Sequence, residues 1–360
     1  MSLEEAIRNK AHELGFDLVG FADATEPLEA DFARYEAFVD AGMHGEMHWL
    51  AEHREVRRRL DTSAILEGAR SVVCVAQSYA GEDGPTGGIT RHISKYARGQ
   101  DYHGHLRKKL RKLAAFVASL QEGARARAMI DTAPVLERAW AARAGLGFVG
   151  KNGMLIAPGL GSYVLIGEVV TTLALTPGTP IGERCGSCTA CLDACPTDAF
   201  EAPYVLDARK CISYLTIELR GPMPMELREG VGNNLFGCDA CQSVCPFNKG
   251  ASSRRTMPQP YQPLPRWKEL SLEAIARLDE TDWKEVSQGS PLYRATYAGL
   301  VRNAITVLAN LGDPKHAGLF EELAREHPDP TVRDHAVWAL AKLRREEMKG
   351  TDSARGPRVH

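Results

Sequence analysis

Cys185-Gly-Ser-Cys188-Thr-Ala-Cys191-Leu-Asp-Ala-Cys195-Pro196 opens a stretch that runs through Cys211 and closes with Cys238-Asp-Ala-Cys241-Gln-Ser-Val-Cys245-Pro246. Eight of the nine cysteines fall inside it. Thiolates three residues apart wrap one corner of an iron–sulfur cubane, and a fourth Cys followed by Pro turns away to serve a neighbouring one. The spacing assigns one 4Fe–4S cluster to Cys185, Cys188, Cys191 and Cys245, and a second to Cys195, Cys211, Cys238 and Cys241. Zinc would want closed sites of paired Cys-x-x-Cys units, which leaves Cys191 and both Cys-Pro pairs unexplained. Disulfides need an oxidising compartment, and nothing in the chain points to one.

The run is that of bacterial two-cluster ferredoxins with one departure. Between Cys211 and Cys238 lie 26 residues, an insertion long enough to reach something else. More than electron carriage is therefore expected. The chain has 360 residues, room for two or three domains. It is 44% apolar and 25% charged with a net charge of −2. There is no global basic field, so nucleic-acid binding would come from a local patch. The start, Met1-Ser-Leu-Glu-Glu-Ala-Ile-Arg8, has no apolar leader core and no twin arginine. No apolar run is long enough to span a bilayer. A monomeric, cytoplasmic protein without a membrane span is expected.

Outward from the cysteines, periodicity sets the elements. Leu3, Ile7, Ala11 and Leu14 predict a helix over 3–14. Phe16 to Phe21 reads as a strand, Glu29 to Ala41 as a helix stopped by Gly42, and Ser71 to Ser78 as a buried strand. Cys74 sits inside that strand and reads as an inert core thiol. Gly81 to Gly88 is a Gly/Pro-rich loop. A basic helix, Leu106 to Gln121, carries Arg107, Lys108, Lys109, Arg111 and Lys112. It is either a solvated face or a stripe facing phosphates.

Asp131-Thr-Ala-Pro134 precedes a helical segment, Val135 to Ala144. Asp131 either caps that helix or does chemistry. Gly145-Leu-Gly147-Phe-Val-Gly150-Lys151-Asn152 resembles a nucleotide loop, but such loops need a strand before and a helix after. Here a helix comes first, so the glycines are expected to let the backbone pass close to a flat ligand. Gly161 to Leu175, with Glu168 inside, reads as strand. From Leu270 the pattern is helical: Val301-Arg302-Asn303 and Val332-Arg333-Asp334 lie 31 residues apart, as helical hairpins of the HEAT type would give.

Several segments together resemble the epoxyqueuosine reductase family. They are Tyr96-Ala-Arg98-Gly-Gln-Asp101-Tyr102-His103, Asp131-Thr-Ala-Pro134-Val-Leu-Glu137-Arg138, Gly150-Lys151-Asn152, Cys211-Ile-Ser213-Tyr-Leu-Thr-Ile-Glu218, Phe236 to Pro246, and Gly299-Leu-Val-Arg302-Asn303. The resemblance covers nearly the whole chain in order. It implies reduction of epoxyqueuosine to queuosine at the wobble position of a tRNA. It also implies a cobalamin fed by the two 4Fe–4S clusters, and an external low-potential electron donor. The implied fold is α+β and multidomain: a nitroreductase-like α/β cobalamin domain over 1–176, a ferredoxin-like module over 177–252, a linker over 253–269, HEAT-like helices over 270–348 and a disordered tail over 349–360.

By the same resemblance Asp131 is the proton donor, and burial is expected to raise its pKa. Arg54, Ser94, Lys151, Asn152 and Ser213 match cobalamin-pocket segments, Ser94 standing where some relatives carry Cys. Arg302 and Arg333 are the expected tRNA phosphate contacts, each expected to begin a helix. Asp101-Tyr102-His103 begins like the Asp-x-His-x-x-Gly cobalamin motif, but Leu106 stands where Gly is required. No histidine ligand to cobalt is therefore expected. Two alternatives stand beside this reading: a corrinoid reductive dehalogenase, and a plain electron carrier.

Overall fold

The structure, a computed structural model, describes residues 1–81, 87–249 and 257–354. Most of the Gly81–Gly88 loop, the start of the expected linker at 253–256 and the last residues, 355–360, lie outside the described residues. Two compact units interleave along the chain. The first holds Met1–Asp83, Asp101–Ala208 and Asp239–Gln262, and the second Gly84–Gln100, Arg209–Cys238 and Pro263–His360.

The first unit is built on an antiparallel sheet of β1 (Leu18–Asp23), β2 (Ser71–Ser78), β3 (Ala126–Met129) and β4 (Val164–Thr171), in the order β1-β2-β4-β3. Every residue of β2 is buried, which is why its centre, Val72 to Ala76, reads as an unbroken apolar run rather than an alternating one. Side chains still alternate across the sheet. Val73 and Val75 join Ile7, Phe21, Leu110 and Val169 on one face. That face is covered by α1 (Leu3–Glu13) and α2 (Tyr102–Ser119). Cys74 and Ala76 join Met129, Trp140 and Ala141 on the other, under α3 (Glu137–Arg143). Ser2 and Glu5 close a capping box at the start of α1, each side chain bonding the other's backbone N–H. The basic helix begins at Tyr102, earlier than its apolar spacing suggests, because Asp101 accepts a hydrogen bond from His103 N as its N-cap. Its Arg107, Lys108, Arg111 and Lys112 are exposed, whereas Lys109 turns inward to donate to Gln77 Oε1 at 3.0 Å.

The second unit is helical. α4 (Ile212–Ile217), α5 (Tyr297–Leu311), α6 (Ala317–Glu326) and α7 (Pro330–Ala354) share one apolar core with Ile89, Ile93, Leu235, Phe236 and Trp267. α7 packs against both α5 and α6, the helix pairing that the 31-residue repeat implies. It continues to Ala354, so the first part of the expected disordered tail is helical. Among the described residues no helix is long and apolar enough to cross a membrane.

Candidate active site

Asp131 does not cap the helix that follows it. The N-cap of α3 is Leu136, which offers no side-chain bond. The Asp131 carboxyl instead meets two residues at the start of α2. Tyr102 donates its hydroxyl to Asp131 Oδ2. His103 sets Nε2 against Asp131 Oδ1 at 3.2 Å and Nδ1 against Asp101 Oδ1 at 2.5 Å. The Tyr102 and His103 rings stack with centroids 4.2 Å apart.

The charges follow from this geometry. Hydrogen bonds to Asp101 and then Asp131 push the His103 pKa up to about 9, so the imidazole is protonated at neutral pH. Burial pushes the Asp131 carboxyl up, but hydrogen bonds from His103 and Tyr102 outweigh it, and the group ends below its ordinary value. This corrects the expectation of a raised carboxyl. The mobile proton rests on His103, and Asp131 is the carboxylate through which it can be passed on. Asp131 remains accessible, its side chain 35% exposed. Sequence reasoning did not assign Tyr102 and His103 to this group. The signal was present in the Asp-Tyr-His that opens α2.

The Gly147–Asn152 segment is the turn of a short hairpin, Phe148–Val149 against Leu155–Ile156, with no helix following it. It is not a phosphate loop. The close approach that Gly147 permits is to the Ile156 main chain. The hairpin turn reaches both cysteine runs. Lys151 Nζ donates to Gly186 O at 2.6 Å and Cys188 O at 3.0 Å. Asn152 Nδ2 donates to Cys241 O at 3.3 Å. These two polar groups are thus committed to the cysteine loops. A buried network absent from the sequence reading fastens the second run: Asn248 Nδ2 donates to Gln242 O and Ser162 Oγ, and Asn248 Oδ1 accepts from Ser162 N.

The chemistry of the cysteine set suits iron–sulfur clusters. All eight are free of disulfides, from exposed Cys188 to buried Cys245. Cys185 and Cys245 pack in one apolar pocket with Phe148, Ile156 and Phe247. The helical turns Ala190–Asp193 and Ala240–Ser243 lie against each other. Cys195 Sγ accepts from Ala199 N at 3.3 Å. Backbone N–H groups aimed at sulfur are one of the levers that tune a cluster. Among the described residues, no group of three or more His, Cys, Asp or Glu closes on a single point as a lone metal ion needs. A cubane's corners each take their own thiolate.

The remaining expected residues are spread. Arg54 pairs with Asp40 at 2.9 Å and is partly exposed. Ser94 and Ser213 belong to the second unit, Ser213 half-buried in α4. Ser94 Oγ is buried with no hydrogen-bond partner, a group that a ligand rimmed with amides would satisfy. Arg302 is a correction. It lies inside α5 rather than at a helix start and is 0% exposed. It donates to the carbonyls of Leu215, Leu219 and Gly221, while Asn303 Nδ2 binds those of Thr216 and Leu235. The pair staples α5 to the segment after Cys211, so Arg302 is closed to phosphate. Arg333 does open a helix. It is partly exposed, with Nη1 on the carbonyls of His327 and Pro328.

Comparison with known proteins follows the same outline. Three family models match: "4Fe-4S double cluster binding domain" over residues 184–248, "Epoxyqueuosine reductase QueG, DUF1730" over 59–132, and "HEAT repeats" over 297–351. The chain is similar to the epoxyqueuosine reductase of Gloeobacter violaceus, at 42% identity over 85% of this chain and 96% of that one. It is also similar to that of Escherichia coli, at 35% over 94% and 89%. Among solved structures, an epoxyqueuosine reductase with an epoxyqueuosine-modified tRNA-Tyr stem loop matches at TM-score 0.86 and 34% identity, over 95% of this chain and 90% of that one. A Bacillus subtilis epoxyqueuosine reductase whose catalytic aspartate loop is swung out of the active site matches at 0.85 and 33%, over 95% and 90%.

Proposed function

This chain belongs to the epoxyqueuosine reductase family, and we propose that it reduces epoxyqueuosine to queuosine in tRNA with Asp131 as the group that delivers the proton. The observation that carries the reading is the meeting of Asp131 with Tyr102 and protonated His103 in a chain that also holds the eight-cysteine module. Membership of the family removes the dehalogenase and electron-carrier alternatives.

Removing an oxirane oxygen as water consumes two electrons and two protons. Bound cobalamin, with the two clusters as its electron source, would supply the low-potential electrons, and the chemistry of reduction would be the cofactor's. The protein's own task is to hold, orient and protonate. Cys185, Cys188, Cys191 and Cys245 would hold one cluster, and Cys195, Cys211, Cys238 and Cys241 the other. Lys151 and Asn152 brace the loops that carry them. Arg54, Ser94 and Ser213 are the residues for the cofactor's polar rim. His103 stores a proton, and Asp131 passes it to the oxygen as the C–O bond breaks, a general-acid role. Both ring nitrogens of His103 are engaged by carboxylates, Nδ1 by Asp101 and Nε2 by Asp131. On this reading Arg333 grips tRNA phosphate. The protein works in the cytoplasm as a monomer with an external low-potential donor.

The test is mass spectrometry of epoxyqueuosine-bearing tRNA before and after incubation with metal- and cobalamin-loaded protein under a strong reductant. Loss of one oxygen from the wobble base is expected. An intact oxirane, or failure to take up a corrinoid, would overturn the proposal.

A further inference from the structure

Behind Asp131 stand two carboxyls that the mechanism above does not use. Glu168, in the middle of β4, is 0% exposed, and neither of its oxygens has a hydrogen-bond partner. Its cross-strand neighbours are Cys74 on β2 and Met129 on β3. Both belong to the apolar cluster that includes Trp140 and Ala141 of α3. Glu168 therefore points beneath α3. Glu137, the first residue of α3, keeps its Oε1 buried and without a partner as well. Asp131 follows Met129 by two residues. Repulsion from Asp131 raises Glu137, and repulsion from Glu137 and then Asp131 adds to the effect of burial on Glu168.

An unpaired carboxylate in an apolar core is untenable; the group takes up a proton instead. Burial, then the charges of Glu137 and Asp131, push Glu168 well above its ordinary value. Burial and then Asp131 push Glu137 up to about 8, against a lowering by Arg138 and His103. The Cys74 thiol, raised by burial and then by the same glutamates, stays protonated too. A strand that needed only packing would carry an apolar residue at 168, since a buried acid with neither oxygen partnered costs stability. Removing the oxirane oxygen as water takes two protons, and the Asp131–His103 pair holds one. A substrate covering Asp131 shuts out the solvent that would bring the second.

We propose that Glu137 and Glu168 form a proton reserve that refills the Asp131–His103 pair within a single turnover. The acid proton of Glu137 moves to the Asp131 carboxylate, that of Glu168 moves to Glu137, and solvent restores both once product leaves. No electron moves in these steps, and each proton lost by one carboxyl is gained by the next. The proposal rests on the functional reading above.

Infrared spectroscopy of the resting, loaded protein tests the reserve without turnover. Carbonyl bands of protonated carboxylic acids, shifted on deuteration, are expected at neutral pH. Glu168→Gln and Glu137→Gln should each remove one, and the Glu137 band should fade as pH rises through about 8. Absence of such bands in the unaltered protein overturns the proposal whether or not the variants fold. In turnover, Glu168→Gln should slow the reaction about tenfold at roughly pH 8 and little at roughly pH 6, where solvent protons suffice. A parallel pH profile in the variant and the parent also overturns it. Asp131→Asn separates the two levels. If that variant keeps full activity, the assignment of Asp131 fails; if it is dead while both glutamine variants match the parent at every pH, only the reserve fails.

Discussion

At Asp131 two effects oppose each other, and neighbours decide. Burial alone would raise the carboxyl's pKa, but hydrogen bonds from His103 and Tyr102 outweigh it and hold the group as a carboxylate. Asp131→Asn should therefore retain clusters and corrinoid and lose turnover by about a hundredfold or more, the usual worth of a general acid, as single-turnover assays of modified tRNA would show. His103 carries a linked prediction about pH. Its folded pKa is raised to about 9, so its contribution to stability is fully present below its ordinary 6.5 and lost as pH rises through about 9. Asp101 and Asp131 are depressed, so theirs is present above about 3.8 and lost as pH falls. Thermal unfolding of His103→Gln against the parent should show its largest deficit between those limits and a shrinking one toward alkaline pH. Lys151 holds its ammonium against the first cysteine loop. Lys151→Gln should lower a cluster's reduction potential on the order of tens of mV, because removing a nearby positive charge disfavours the reduced state; redox titration followed by EPR measures it.

Among the elements, α5 shows how a helix recognised from its pattern can still mislead about its residues. Its periodicity was legible, and so was the repeat with α7. The role of Arg302 was not, because burial belongs to packing. Arg302→Met would leave the carbonyls of Leu215, Leu219 and Gly221 without a charged donor. A loss of about 3 kcal/mol in urea unfolding is expected, since buried groups deprived of a charged partner lose their full hydrogen bonds. A phosphate-binding role would instead have predicted normal stability and weakened tRNA affinity. The β4 strand holds the reverse case. Its apolar run was plain, but that Glu168 lies inside the core without a partner depends on β2, β3 and α3 closing around it.

For the whole molecule, the interleaving of the two units matters most. Ile89, Ile93, Leu235 and Phe236 share their core with the helices after Leu270. Truncation after Leu270 should therefore unfold that unit rather than merely trim tRNA affinity, which limited proteolysis and circular dichroism would reveal. Buried acids also shape the global pH response. Glu168 is raised far above its ordinary 4.5, so the stability linked to its proton is full below that value and declines as pH rises. Above it the parent should lose about 1.4 kcal/mol per pH unit relative to Glu168→Gln, until Glu168 ionises in the fold.

The sequence alone carried the iron–sulfur chemistry, because cluster ligands are written largely as short-range spacings: Cys185, Cys188 and Cys191 announce a cubane wherever the chain later goes. It carried the longer strands and helices for the same reason, since apolar runs and the 3.6-residue period are local. Only the tertiary structure decided which polar side chains face a neighbour and which face water. Asp101, His103 and Asp131 come together because the start of α2 meets the end of β3. Arg302 is hidden because α5 packs against the segment after Cys211. Glu168 is cut off from water by elements distant in the chain. Contact, burial and the pKa values that follow are properties of long-range packing, and no local pattern of residue types encodes them.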